Sequence, residues 1–168
     1  MSVKPDSILE NDIFDMDDED TQANKFLCFM LKEESYCISI RDVIEIVEMQ
    51  KISEVPDMPD YVKGVINLRG KIIPVIDLRL LFKMEERIHD DRTCIVIGEI
   101  KDTEVGFIVD TVEEVVEIPS ENIEETPSFK TSEISRGFIA GIGRVQNNVK
   151  IILNIGKLVE AGDLELMS

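Results

Sequence analysis

Gly64-Val65-Ile66-Asn67-Leu68-Arg69-Gly70-Lys71-Ile72-Ile73-Pro74-Val75-Ile76-Asp77 reads as two strands meeting at a turn. Alternation puts Gly64, Ile66 and Leu68 on one face and Val65, Asn67 and Arg69 on the other. Gly70 supplies the backbone freedom that a tight hairpin at Arg69-Gly70 needs. Proline inside the second strand, at Pro74, points to an edge or a bulge.

This segment recurs. Residues 61–82 lie over residues 138–159 with a shift of 77 and no gap. Gly64 meets Gly141, Leu81 meets Leu158 and Asp77 meets Asn154, while Val65/Ile142, Leu68/Val145, Ile72/Val149 and Val75/Ile152 keep their apolar character. Residues 32–49 likewise lie over 101–118 with a shift of 69. There Lys32, Val43, Glu45, Val47 and Glu48 meet Lys101, Val112, Glu114, Val116 and Glu117. The connectors 50–60 and 119–137 absorb the change of shift.

Short β-branched runs at 26–31, 36–40, 43–49, 64–68, 71–76, 93–100, 104–109, 112–118, 141–145 and 149–154 predict strands. Residues 78–82 and 155–160 predict short helices. The fold class is therefore all-β: two intimately packed five-stranded barrels from an internal duplication. The first is expected at 25–82 and the second at 93–159, with the acidic stretch 83–92 as the joint and 160–168 as a C-terminal tail. Each copy alone is near the lower size limit for a stable core, so a shared interface is expected.

The formal net charge is −17 in 168 residues. Residues 1–20 hold eight acids against Lys4 alone, and 1–24 read as a disordered acidic tail. Such a surface is repelled by nucleic acid and by anionic lipid. No apolar run reaches the length of a membrane span, and the first residues lack the basic-then-apolar pattern of a secretory signal, so neither is expected. Cys28, Cys37 and Cys94 sit in apolar runs, the usage of small buried hydrophobes in a reducing compartment. A cytoplasmic location is expected.

Chemistry is sparse. His89, the only histidine, lies in a polar linker that offers a catalytic base no orienting shell. The cysteines lack zinc spacing. Gly137, Gly141 and Gly143 precede a strand pattern rather than a helix, the wrong context for a phosphate loop. No catalytic site, metal or cofactor is expected. An unrecognised carboxylate pair in a small β-barrel enzyme is the rival reading.

The second copy separates fold from function. It turns with Gln146 where the first has Arg69, so the hairpin does not require arginine. Arg69 is a candidate for recognising a carboxylate or carbonyl groups on a partner; a solvated arginine at a hairpin end is the alternative. Glu45 is mirrored by Glu114 and so can serve the shared fold, or it can pair with Arg69 if the third strand lies beside the hairpin.

The run from Gly64 to Arg79 resembles the signature of the CheW family, the bacterial chemotaxis coupling proteins. Tyr36-Cys37-Ile38, residues 43–47 and residues 105–110 extend the resemblance over about 25–159. It implies Src-homology-three-type barrels and a scaffold without catalytic activity. The implied partners are the regulatory domain of the histidine kinase CheA and the cytoplasmic helical tip of chemoreceptors in membrane-bound arrays. By resemblance, Val43, Glu45, Gly64, Asn67, Arg69 and Gly70 fall where family members contact partners or support that surface. Val112 and Val115 would lie near the groove between barrels where a receptor helix docks; plain core is the alternative for both. A detached regulatory module of a CheA-type kinase shares the fold and remains the nearer alternative.

Overall fold

The computed structural model describes residues 22–125 and 137–167, with side chains to residue 161. Residues 1–21 of the tail expected at 1–24, and part of the second connector, lie outside the described residues; residues 22–24 instead form a helical turn whose Asn24 carbonyl accepts from the Ile118 amide at 2.8 Å.

Strands β1 (Lys25–Leu31), β2 (Glu34–Ser39), β3 (Val43–Glu48), β4 (Val62–Leu68) and β5 (Lys71–Asp77) come from the first copy. Strands β6 (Cys94–Ile100), β7 (Thr103–Val109), β8 (Thr111–Glu117), β10 (Ile139–Val145) and β11 (Asn148–Leu153) repeat them. The two-residue β9 (Ile123–Glu124) was not expected. Helix α1 (Leu78–Leu81) follows β5 and α2 (Ile155–Met167) follows β11. The second helix runs through residues expected to form a tail.

The sheets do not follow the halves of the chain, which corrects the expected division at 83–92. One sheet has the order β3-β6-β7-β5-β4 and the other β8-β1-β2-β11-β10-β9. Barrel one is thus the contiguous stretch 43–109, and barrel two joins β1 and β2 to β8–β11. The chain passes between sheets at the short turn Ile40–Asp42 and at Asp110, the lone residue between β7 and β8. Connectors this short carry the chain onward instead of folding a hairpin back on its own copy, the condition under which equivalent elements are exchanged. Alternation reveals which face a strand buries. It does not reveal which of two near-identical neighbours the strand pairs with.

Each ring closes in the same way. Beyond β3, Ser53 exchanges both backbone hydrogen bonds with Val65 at 2.9 Å. Beyond β8, β9 pairs with Ile142 and Gly143 of β10. Gly64 has φ +143°, and a Cβ there would lie 2.1 Å from the Ser53 carbonyl oxygen. A Cβ on Gly141 would lie 2.8 Å from the Glu124 carbonyl oxygen. The repeated glycine is where the closing strand crosses its neighbour's backbone.

Three apolar cores result. Ile66, Ile73, Val75, Ile95, Ile97 and Ile108 fill barrel one. Phe26, Cys28, Cys37, Ile118 and Ile152 fill barrel two. The largest cluster lies between the barrels and takes Leu27, Phe29 and Tyr36 from one sheet, Val96 and Phe107 from the other, and residues of both helices. Asp110 ties this interface together. Arg79 donates to it through Nε at 2.7 Å and Nη2 at 2.6 Å, the Lys32 amide donates at 2.9 Å, and Arg87 Nη1 lies 3.1 Å away.

Candidate functional site

The β4–β5 hairpin turns on Arg69 at φ 53° and Gly70 at φ 85°, the backbone pattern of a type I′ turn. The Asn67 Oδ1 accepts from the Gly70 amide at 3.0 Å and fixes the turn. Gln146 takes φ 57° in the second copy, so the left-handed conformation belongs to the repeat.

Barrel closure brings β3 beside this turn. Arg69 donates through Nη1 to Glu45 Oε1 at 2.7 Å and through Nη2 to Glu45 Oε2 at 2.6 Å. The guanidinium holds the Glu45 carboxyl below the usual carboxylate range. The Arg69 side chain remains 68% exposed and that of Glu45 26%. Water and salt screen an exposed pair of this kind, so it adds little to stability. The fork therefore does little for the fold and presents oriented donors and acceptors to solvent.

Apolar side chains lie on one side of it. Ile44, Leu68 and Ile73, with Lys71 and Glu104, line a cleft of about 290 Å³ beside the pair. Ile44 and Ile46 project outward from β3, and Ile72 projects from β5 with 63% of its surface exposed. A second cleft of about 330 Å³ opens where β5 parts from β7. Their parallel pairing covers only Val75–Asp77 of β5, so Pro74 stands where the strand has left that neighbour. This is the edge-like position that proline requires.

The other site candidates separate. Val43 and Val112 are half-buried against the central core. Val115 is exposed on β8. Gly64 and Gly70 hold backbone positions that need no partner to explain them. Residues the sequence reading missed include Ile44, Ile46, Ile72 and Glu104. The signal for three of them was available, because alternation turns Ile44, Ile46 and Ile72 away from the inward faces of β3 and β5.

Among the described residues, no group of three or more His, Cys, Asp and Glu side chains gathers closely enough to hold a metal ion. No helix there is long and apolar enough to cross a membrane. A pair of fused barrels that turns an oriented ion pair and bare isoleucines outward is built as a binding scaffold.

The chain belongs to the CheW-like domain family, which matches residues 25–163. It is 32% identical over 148 residues to the chemotaxis protein CheW of Klebsiella aerogenes, covering 88% of this chain and 89% of the relative. The Bacillus subtilis chemotaxis protein CheW is 40% identical over 105 residues, or 62% of this chain and 67% of the relative. The crystal structure of the scaffolding protein TtCheW from Thermoanaerobacter tengcongensis superposes with a TM-score of 0.73 at 39% identity, covering 79% of this chain and 89% of that one. The protein is a coupling scaffold of chemotaxis signalling with the Src-homology-three-type barrels of that family.

Proposed function

We propose that the protein is a non-catalytic cytoplasmic adaptor that joins the regulatory domain of the histidine kinase CheA to the cytoplasmic helical tip of chemoreceptors. The observation that carries this reading is the exposed Arg69–Glu45 fork with Ile44 in the cleft beside it, on a barrel whose strands also leave Ile46 and Ile72 exposed. A partner that covers these isoleucines gains the free energy of removing apolar surface from water. The fork then fixes orientation, since a planar bidentate pair accepts few geometries. Asn67 and Gly70 set the turn that carries Arg69, and Gly64 keeps the hairpin in place.

In this reading Val112 and Val115 lie near the groove between the barrels, where an amphipathic receptor helix would dock, and Val43 belongs with the Arg69 surface. The coupling mechanism is geometric. A scaffold that grips receptor and kinase together makes receptor conformation a bias on kinase activity, through differential contacts in two states. No turnover of its own enters this role.

The test is co-precipitation of the purified protein with the host's CheA regulatory domain and with a receptor-tip fragment. Wild type should bind both. Arg69→Glu should weaken at least one, while leaving the thermal midpoint close to that of wild type because the side chain is exposed. Full binding by that variant would remove Arg69 from the interface, and a large stability loss would make it structural.

A further inference from the structure

The duplication supplies an internal comparison that isolates one cluster in barrel two. Cys28 on β1 stands directly opposite Cys37 on β2, and neither is exposed. Direct antiparallel partners have Cα atoms about 4.5–5.5 Å apart, within the span that a disulfide bridges. The register sets the two thiols side by side, and each acts on the other's ionisation. Barrel one has Ile97 opposite Gly106 at the same place. One large and one small residue there, against two of medium size here, fill similar space, so packing alone can account for the cysteines.

Packing does not account for Lys150. It occupies the position of Ile73, a core residue of barrel one. Because Ile152 registers beside Cys37 in the parallel β11–β2 pair, Lys150 leaves the same inward face one step along, beside Ser35. It is 5% exposed. Its Nζ donates to Ser35 Oγ at 3.0 Å and lies 3.6 Å from Glu113 Oε1. Glu113 is about a third exposed and marks the mouth of the barrel, with Lys150 and then the two thiols buried behind it. The charged groups acting on the thiols are Lys150, Glu113 and Glu114. The hydrogen bond with Cys37, helped by Lys150 and opposed by burial, eases Cys28 toward its thiolate. That same hydrogen bond, reinforced by burial, holds Cys37 protonated.

We propose that Cys28 and Cys37 form a dithiol that a hydroperoxide converts to a reversible cross-strand disulfide, with Lys150 as the neighbouring counter-charge. The Cys28 thiolate attacks one peroxide oxygen. The O–O bond breaks, the other oxygen departs as water or an alcohol after taking a proton, and Cys28 becomes a sulfenic acid. The Cys37 sulfur then attacks the Cys28 sulfur. The S–O bond breaks, and the oxygen leaves as water with the Cys37 proton. Two thiols are oxidised and one peroxide is reduced. In a reducing compartment such a bond is transient and serves as a signal rather than a staple.

The experiment treats the folded full chain with hydrogen peroxide, then alkylates, digests and maps the cysteines by mass. The expected product has lost two hydrogen atoms, links the Cys28 and Cys37 peptides, leaves Cys94 alkylatable and reverts with dithiothreitol. Cys94→Ser should react like wild type. Lys150→Ile, which installs the residue of barrel one, should slow the native reaction roughly tenfold or more and leave the rate in denaturant unchanged; Lys150→Met is the second variant if the first does not fold. Oxidation at Cys94 with Cys28 and Cys37 still alkylatable would overturn the proposal. So would oxygen adducts without the link, or wild-type rates in both folded lysine variants.

Discussion

Asp110 sits at a crossing between barrels, and its energetics follow from its partners. Burial pushes its carboxyl up, but Arg79, the Lys32 amide and Arg87 together hold it below the usual aspartate value. Asp110→Asn would leave the Arg79 guanidinium, itself 12% exposed, without its counter-charge. Breaking one side of a buried pair costs about 3–5 kcal/mol, so the urea midpoint at pH 7 should fall steeply. A depressed folded value stabilises above the unfolded value of about 4 and is lost as pH falls through the folded one. The gap between wild type and variant should therefore close in acid; a gap constant down the acid limb would reject this account. At this scale the sequence revealed some residues and hid others. Arg69 stood out because Gln146 replaces it in the other copy, and its union with Glu45 was readable as conditional on barrel closure. Arg79 and Asp110 lie 31 residues apart and have no periodic signature. Their meeting depends on a chain path that alternation cannot report.

Among elements, the ten longer strands were legible because each is a β-branched run bounded by turn formers. The closing strand β9 was not, since two residues after a proline turn carry no period. Helix α2 extends beyond its expected end because residues 160–167 follow in helical register from Leu158 and Val159, which the central core anchors. The starts of α1 and α2 offer a cleaner comparison. Asp77 caps α1 through the Arg79 and Leu80 amides, and Asn154 at the repeated position accepts from the Lys157 amide at 3.2 Å. Burial pushes the Asp77 carboxyl up despite those two amides. A raised value means that its contribution is greatest in acid and is lost as pH rises through the folded value. Asp77→Asn keeps the cap without a buried charge, so it should lie closest to wild type in acid and become relatively more favourable as pH rises through the folded Asp77 value. Asp77→Ala should cost about 1 kcal/mol. Equal losses for both, by thermal melting, would show that the charge and not the cap is what matters.

The exchanged strands make the whole molecule more than two barrels in series. The duplication was visible in two ungapped alignments, and so was the need for a shared core. The partition was not, because a copied hairpin fits either copy's strands equally well by pattern. The consequence is cooperativity. Barrel two cannot close without β1 and β2, which enter from before barrel one, and β8–β11, which leave after it. Barrel one is contiguous, yet Ile76, Leu78, Val96, Phe107 and Val109 on its inner side face the central cluster instead of its own interior. Melting either barrel alone would expose that cluster to water, at about 25 cal/mol for each Å² of apolar surface. The folded part should therefore unfold in one transition despite its two sheets. Calorimetry should give equal calorimetric and van't Hoff enthalpies, near 100 kcal/mol at the midpoint for a domain of this size. Hydrogen exchange should show the slowest amides of β1 and β6, one from each sheet, opening with the same free energy. Two resolved transitions, or core amides of one sheet exchanging well before those of the other, would mean that the barrels are independent and that the central cluster is only a contact between them.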